Sequence, residues 1–212
     1  HLGILAVLLR LLMRPFFGGG TAGLLCAAAI GCYTFLAGPR PSLLRAASMF
    51  LLHEALTRAG RRPETASLLA FSFLGSCFLT PGDLYSASFV LSYLAMGGIL
   101  FFSRRIRRFM LPVIPEPLAS AAAVSVAAQL AAAPYLLAVF GTVHPAAVPA
   151  SVLLGPLTAA FLWVGVPGCV LAGIPPSAET AAQGFLFPMK YLYTAIVATA
   201  EFFARFPAWG GG

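Results

Sequence analysis

The apolar stretch Gly97-Gly98-Ile99-Leu100-Phe101-Phe102 runs, after Ser103, straight into the cluster Arg104-Arg105-Ile106-Arg107-Arg108. A long apolar run indicates a bilayer, because a transmembrane helix needs about 20 predominantly apolar residues. Arginine and lysine near the end of a membrane span are retained on its cytoplasmic side. The junction therefore predicts a transmembrane helix whose arginine-rich end faces the cytoplasm.

The composition of the whole chain agrees with a membrane environment. Of the 212 residues, 60% are hydrophobic and 9% are charged, whereas a soluble domain carries about 25% charged residues. So few charges cannot solvate a globular surface. The net charge of +7 is explained mostly by arginines in loops, so by itself it is weak evidence for nucleic-acid binding.

Hydropathy divides the chain into about eight helical segments, which predicts an all-α, polytopic transmembrane helix bundle with some short or proline-broken members. The predicted segments are 2–13, 20–37, 42–59, 65–80, 86–103, 118–140, 145–174 and 181–206. The fourth is short for a bilayer. The seventh contains Pro149, Pro156 and Pro167, and we expect a half-helix followed by a full span. Pro188 is expected to kink the last segment.

Alternation of these segments across the membrane yields a consistent topology. With the arginine cluster inside, nine of the thirteen Lys and Arg residues fall on the cytoplasmic side; the other five inside are Arg10, Arg14, Arg58, Arg61 and Arg62. We therefore expect a multi-pass membrane protein with a cytoplasmic 104–108 loop and an extracytoplasmic C-terminus. We also expect residues 1–212 to be a single membrane domain from a longer protein, because the chain opens with His1 inside an apolar run.

Small residues recur at four-residue spacing along several segments. The rows are Gly23-Ala27-Gly31, Ser88-Ser92 and Ala119-Ala123-Ala127-Ala131. Such rows let helix backbones approach closely in lipid. Plain bundle packing is the simplest interpretation of them.

Motifs for catalysis and metal binding are missing from the sequence. The three histidines are far apart and have no partners at metal-ligand spacing. We find no phosphate-binding glycine loop, no nucleophile elbow and no HExxH. We accordingly expect no catalytic residues, no metal and no cofactor in this chain.

A few polar residues inside apolar segments are the remaining candidates for function, because such residues are costly in lipid. Arg45, flanked by Ser42 and Ser48, is either an anion-attracting patch at the mouth of a path or a snorkelling side chain. Gln129, five residues before Pro134, either lines a cavity or forms an interhelical hydrogen bond.

Two acidic residues have simpler explanations. Glu54 is expected to pair with Arg58, which is four residues later on the same helical face. Asp83 is expected to cap the fifth helix.

These residues coincide with a known pattern. The opening HLGIL is similar to the SGLHVGLL of the competence domain of the ComEC DNA-uptake (DNA internalization) inner-membrane channel family. Residues 38–49, GPRPSLLRAASM, resemble its G-x-x-P-S-x-x-R-A-x-x-M turn and helix. Residues 89–95, FVLSYLA, resemble its F-Q-L-S-F-x-A element, and residues 128–141 resemble its A-Q-L…P…F-G stretch. The resemblance covers about residues 1–174, followed by the last helix at 181–206.

The resemblance implies a channel for single-stranded DNA across the bacterial inner membrane during natural transformation. It also implies an extracytoplasmic DNA receptor and a cytosolic ATPase as partners, and it leaves a homo-oligomer open. By family position and polarity, the DNA path or its mouth is expected to contain the following residues: His1, Arg40, Ser42, Arg45, Phe89, Ser92, Tyr93, Gln129 and Ser151. Val90 and Ser151 replace the family's usual Gln and Asn, which puts DNA conduction by this copy in question.

Other functions are compatible with the composition. A permease for a small or lipidic anion would bind small solutes saturably. An intramembrane enzyme, for example a hydrolase that uses His1 or Asp83, would need both residues to face one cavity within hydrogen-bond reach. A structural scaffold would show no polar cleft.

Overall fold

The computed structural model describes residues 2–13, 19–36, 38, 40–172, 179–207 and 209. Within these residues the chain forms eight α-helices and one 3-10 helix, and the all-α prediction is confirmed. The helices are α1 (Leu2–Met13), α2 (Gly19–Leu36), α3 (Pro41–Arg58), α4 (Thr65–Leu79), α5 (Ala87–Met110), α6 (Glu116–Phe140), α7 (Ala147–Ala172) and α8 (Glu179–Ala204), with the 3-10 turn Pro81–Tyr85 before α5. His1 lies outside the described residues.

Three of the described helices are long and apolar enough to cross a membrane. They contain the stretches Ala87–Met110, Glu116–Phe140 and Ala147–Cys169. A 24-residue helix such as α5 is about 36 Å long, which exceeds the roughly 30 Å of a hydrocarbon core. The shorter apolar stretches Gly23–Leu36 and Thr65–Leu79 fall below this length. The three long apolar helices are those expected of a membrane protein.

Two predicted boundaries were wrong for physical reasons. Helix α5 does not end at Ser103 but continues through the arginine cluster to Met110, because arginine is a good helix former and is favoured at a helix C-terminus. Residues 147–172 form one helix with Pro156 and Pro167 inside it, not a half-helix and a span. Proline is tolerated there because neighbouring groups in a bundle form hydrogen bonds with the backbone carbonyl groups that proline leaves unpaired.

The predicted cap of α5 was also misplaced. Asp83 lies in the 3-10 turn, and the N-cap is Ser86, whose Oγ accepts a hydrogen bond from the Phe89 amide at 3.2 Å. The Ser86 hydroxyl itself donates to the Asp83 carbonyl oxygen at 2.7 Å. Serine is among the preferred N-cap residues, and here the turn before the helix supplies the hydroxyl's acceptor.

Packing of the bundle centres on α3 and on two helix pairs. Helix α3 contacts α1, α2, α4 and α5, while α5 pairs with α6 and α7 pairs with α8. The α5–α6 pair uses the predicted alanine row: Ala119, Ala123 and Ala127 are all buried. Gly98 of α5 lies so close to Ala127 and Ala131 that a Cβ atom at this position would collide with both. Small residues thus set the distance between these helices, as expected in lipid.

A buried ion cluster fixes α1 and α3 at one end of the bundle. Glu54 Oε1 lies 3.3 Å from Arg58 Nη2, which confirms the predicted pair, and Glu54 Oε2 lies 3.4 Å from Arg10 Nη2 on α1. The Glu54 side chain is only 6% exposed. Helix α2 fits against this carboxylate at Gly23, where a Cβ atom would collide with Glu54 Oε1.

We expect Gly23→Ala to lower the stability of the bundle by about 1–2 kcal/mol, because the Glu54 carboxylate would have to move off one of its arginines. The matched control is Gly31→Ala on the same helix, where a Cβ atom meets open space. That control should be neutral or slightly stabilising, since alanine is the better helix former. Thermal unfolding of the two variants in detergent measures the difference, and equal melting temperatures would contradict the role of Gly23.

Contacts between remote residues agree with the alternation of the helices. The ion cluster brings Arg10 and Arg58 to one end. At the end of α6, Val143 and Trp209 exchange two backbone hydrogen bonds of 2.6 and 2.7 Å. The α6–α7 turn and the segment after α8 therefore share one end of the molecule. The side of the membrane on which each end lies stays a prediction.

Candidate functional site

The polar residues of α3, α4 and α5 meet where these three helices contact one another. We call this group the Arg45 cluster; it consists of Arg45, Ser48, Ser72, Ser76, Ser92 and Tyr93. Ser72 is 2% exposed, and the other five are half-buried. The cluster arises because serines at four-residue spacing on α4 share one helical face, and that face meets Ser48 of α3 and Tyr93 of α5.

Arg45 is directed into the bundle and contacts α5. Its Nη1 donates a hydrogen bond to the Ser92 carbonyl oxygen at 3.2 Å, and its guanidinium carbon lies 5.8 Å from the centre of the Tyr93 ring. The second distance is within cation–π range. A snorkelling arginine would extend along lipid toward the membrane surface, whereas the Arg45 side chain contacts Ser92 and Tyr93 of the neighbouring helix.

Part of the hydrogen-bonding capacity at Arg45 is unused. Arg45 Nε and Ser92 Oγ are buried and have no hydrogen-bond partner within the part of the chain that the structure describes. An unsatisfied buried polar group costs about 1–3 kcal/mol. The Nη1 bond to the Ser92 carbonyl oxygen places both groups at the same α3–α5 contact, where a polar ligand that reached them would be stabilised.

Hydroxyl groups connect the three helices through the cluster. Ser48 Oγ donates to the Arg45 carbonyl oxygen at 2.9 Å and lies 2.7 Å from Ser72 Oγ. The Tyr93 hydroxyl lies 3.1 Å from Ser72 Oγ and 3.2 Å from Ser76 Oγ. Since Ser48 donates to the Arg45 carbonyl oxygen, Ser72 donates to Ser48. Since Ser76 donates to the Ser72 carbonyl oxygen, the single Tyr93 proton is donated to one of the two α4 hydroxyls.

Aromatic rings pack against one side of this network. Phe73, Phe89 and Tyr93 contact one another with ring centroids 4.6 to 5.8 Å apart. Phe89 is 5% exposed, and both of its aromatic neighbours are tilted against its ring. These contacts hold Tyr93 in place under the Arg45 guanidinium.

Two grooves open beside the cluster. The first, which we call the α3–α4 groove, has a volume of about 500 Å³; Ser48, Ser72, Ser76 and Thr80 line it together with apolar side chains such as Leu51 and Phe71. The second, of about 180 Å³, is lined by Arg45 itself with Gly3, Ala46, Met49, Phe50 and Met96. The cluster is thus reachable from both sides of α3.

The remaining predicted site residues lie apart from the cluster. Arg40 and Ser42 are exposed around the first turn of α3. Gln129 is half-buried on α6, and Ser151 of α7 lies 2.7 Å from Ser125 Oγ of α6. His1 falls outside the described residues, so its predicted place in the path has no structural counterpart here.

The sequence interpretation missed the contribution of α4. Ser72, Ser76 and Thr80 follow one another at four-residue spacing, which was a usable signal for a polar helix face. For metals, no group of three or more His, Cys, Asp or Glu side chains able to hold an ion occurs in the described residues.

Comparison with known proteins assigns the chain to a family. A family model described as "Competence protein" matches residues 1–210. The chain is 28% identical over 188 residues to ComE operon protein 3 of Bacillus subtilis (strain 168), which covers 88% of this chain and 23% of that protein. It therefore spans about a quarter of the curated relative that it matches. No solved structure matches the chain. The match along nearly its whole length shows that the chain belongs to the competence protein family, as the resemblance to ComEC predicted.

Proposed function

We propose that this chain is the membrane channel domain through which single-stranded DNA enters a bacterium during natural transformation. Support comes from its membership of the competence protein family and from three helices able to span a membrane. The observation that carries the proposal is that Arg45 points into the helix bundle and contacts Ser92, and that Arg45 Nε and the Ser92 hydroxyl both lack a hydrogen-bond partner in the described part of the chain.

A DNA strand needs a polar route, because its phosphates cannot be desolvated in hydrocarbon. Proteins that bind single strands combine positive charge with aromatic rings on which bases stack. Arg45 over Tyr93 provides both in one place, and guanidinium binds phosphate oxygens with two parallel hydrogen bonds. In this proposal a passing phosphate accepts hydrogen bonds from Arg45 and from Ser92.

The α3–α4 groove would carry the strand next to that contact. Its hydroxyl face, from Ser48 to Thr80, offers donors to phosphate and sugar oxygens, and its apolar face accommodates bases. We propose that this groove forms one wall of the route. We propose that Arg40 and Ser42 form the outer mouth, and that Gln129 and Ser151 line the α6–α7 part of the path.

The proposal also includes the orientation of the chain in the membrane and its partners. The arginine-rich end of α5 lies in the cytoplasm, and the α6–α7 turn lies outside with Trp209. By family membership, the proposal includes an extracytoplasmic receptor that delivers DNA to the mouth and a cytosolic ATPase that supplies energy. Any nuclease activity belongs to other parts of the uptake machinery.

Loss of this protein tests the proposal directly. In a naturally transformable host, deletion should leave labelled DNA bound at the cell surface but reduce its DNase-resistant uptake to background. Restoring the gene should restore uptake. Wild-type uptake in the deletion strain, with no second copy of the gene present, would contradict the proposed function.

One observation favours a second candidate, a permease for a small anion. The groove that Arg45 lines is only about 180 Å³, which suits a single anion better than a polymer. The permease would bind small anions saturably, and its deletion would leave DNA uptake intact. The deletion experiment therefore separates the two functions.

A further inference from the structure

A second basic site lies at the opposite end of α5, away from the Arg45 cluster. Arg104 and Arg107 of α5 line a groove of about 210 Å³ with Ser103, Ser120, Ala123 and Val124. We call it the α5–α6 groove. Its polar lining thus consists of two arginines and two serines, residue types whose guanidinium and hydroxyl groups bind phosphate oxygens.

The groove changes from charged to apolar within one helical turn on both of its helices. On α5, Phe101 lies three residues before Arg104, and its side chain is 82% exposed. On α6, Val124 lies four residues after Ser120 and is 42% exposed. Residues three or four apart are neighbours on a helix surface, so Arg104 and Ser120 each have an exposed apolar residue one turn deeper along their helices.

This pattern matches an amphiphile with a phosphate head and acyl chains. We infer that the α5–α6 groove binds the phosphate headgroup of an anionic phospholipid, with the acyl chains lying along Phe101 and Val124. Basic pockets between transmembrane helices bind anionic headgroups in this way. A DNA strand fits less well, because the groove is small and its deeper wall presents apolar side chains to the bilayer.

Glu116 does not block the site. Its Oε1 pairs with Arg107 Nη1 at 3.3 Å, but the Glu116 side chain is 71% exposed, and exposed ion pairs contribute little to stability. Arg107 has further N–H groups on its planar fork, so it can hold Glu116 and a phosphate oxygen together. Arg104 is exposed at the groove and supplies the second cation.

The test is native mass spectrometry of the purified protein in neutral detergent with phosphatidylglycerol as the probe and phosphatidylcholine as the reference. Wild type should retain phosphatidylglycerol preferentially. Arg104→Gln combined with Arg107→Gln should weaken that retention about 30-fold, the size expected for two basic residues near an anionic lipid surface. Arg104→Gln alone leaves the Arg107–Glu116 pair in place and should weaken phosphatidylglycerol retention about fivefold.

Two control variants show whether a loss of lipid retention is caused by the groove arginines or by a general change in charge or folding. Arg61→Gln with Arg62→Gln removes the same charge from the α3–α4 loop and should leave retention unchanged. Glu116→Gln breaks the ion pair but keeps both groove arginines, so retention should be unchanged or stronger. Equal losses in the Arg61/Arg62 and Arg104/Arg107 variants would overturn the inference.

Two competitors distinguish the source of the phosphate. Inorganic phosphate at millimolar concentration should fail to displace phosphatidylglycerol, because it lacks acyl chains; displacement would assign the groove to free phosphate. In phosphatidylcholine nanodiscs, the Arg104/Arg107 variant should bind the same amount of single-stranded oligothymidylate as wild type, whether that amount is large or zero. Loss of oligonucleotide binding with lipid retention intact would assign the groove to DNA. The inference does not depend on the proposed function, so either can fail alone.

Discussion

Replacing Arg45 by alanine is expected to reduce DNA uptake about 100-fold at unchanged protein level. The substitution removes the inward guanidinium that contacts Ser92 and Tyr93 and that we propose to hold phosphate. A hydrogen bond to a charged group contributes about 1.5–3 kcal/mol, and about 1.4 kcal/mol corresponds to a factor of ten. DNase-resistant uptake of labelled DNA, normalised to protein in the membrane, is the measurement.

Two further variants separate charge from geometry. Arg45→Lys keeps the positive charge but loses the planar fork, so uptake should fall to an intermediate level. Arg205→Ala removes an exposed arginine just after α8 and should leave uptake unchanged. Wild-type uptake by Arg45→Ala would remove this residue from the mechanism, and an equal loss in Arg205→Ala would show a nonspecific effect of charge.

Replacing Gly98 by alanine is expected to destabilise the protein by about 2–3 kcal/mol, which is the upper range for adding a group to a packed site. The new Cβ would collide with Ala127 and Ala131, and the obstacle at Ala127 is its backbone carbonyl oxygen. A backbone atom cannot rotate away, so α5 and α6 must separate along the interface that they share. The effect should exceed that of Gly23→Ala, where the obstacle is the end of a side chain.

Gly97→Ala is the matched control for this variant. Gly97 precedes Gly98 in the same helix, and a Cβ atom there has no neighbour within 4 Å. Since alanine is favoured over glycine in a helix by about 1 kcal/mol, Gly97→Ala should be neutral or stabilising. Opposite changes in melting temperature for the two neighbours would support the close contact, and indistinguishable changes would contradict it.

Local sequence signals predicted most of the fold. The bounds of α1 were predicted as the structure has them, and those of α2, α3 and α4 within a residue, because proline and glycine punctuate the chain between apolar runs. Hydropathy misplaced the end of α5, since it reports where lipid ends and not where the helix ends. The prolines of α7 led to the wrong prediction of two helices, because proline usually breaks a helix, although a helix bundle can accommodate it.

The candidate site was only partly predictable. Arg45 was identified as polar in an apolar helix, yet its direction depends on α5, whose Ser92 is 47 residues away. Arg10 was not predicted as the second partner of Glu54, because α1 and α3 meet only in the folded bundle. Phe89 and Tyr93 were expected at the path by resemblance, but their packing with Phe73 on α4 is set by tertiary contacts that spacing cannot show.

Photo-crosslinking during uptake tests most directly the claim that DNA passes the Arg45 cluster. A photoreactive residue at position 51 would face the α3–α4 groove without altering the cluster. A control at position 78 would replace Phe78, which is 84% exposed and does not line that groove. We expect crosslinks to incoming single-stranded DNA from position 51 and none from position 78. Active uptake with no crosslink from position 51, or with equal crosslinking from both positions, would contradict it.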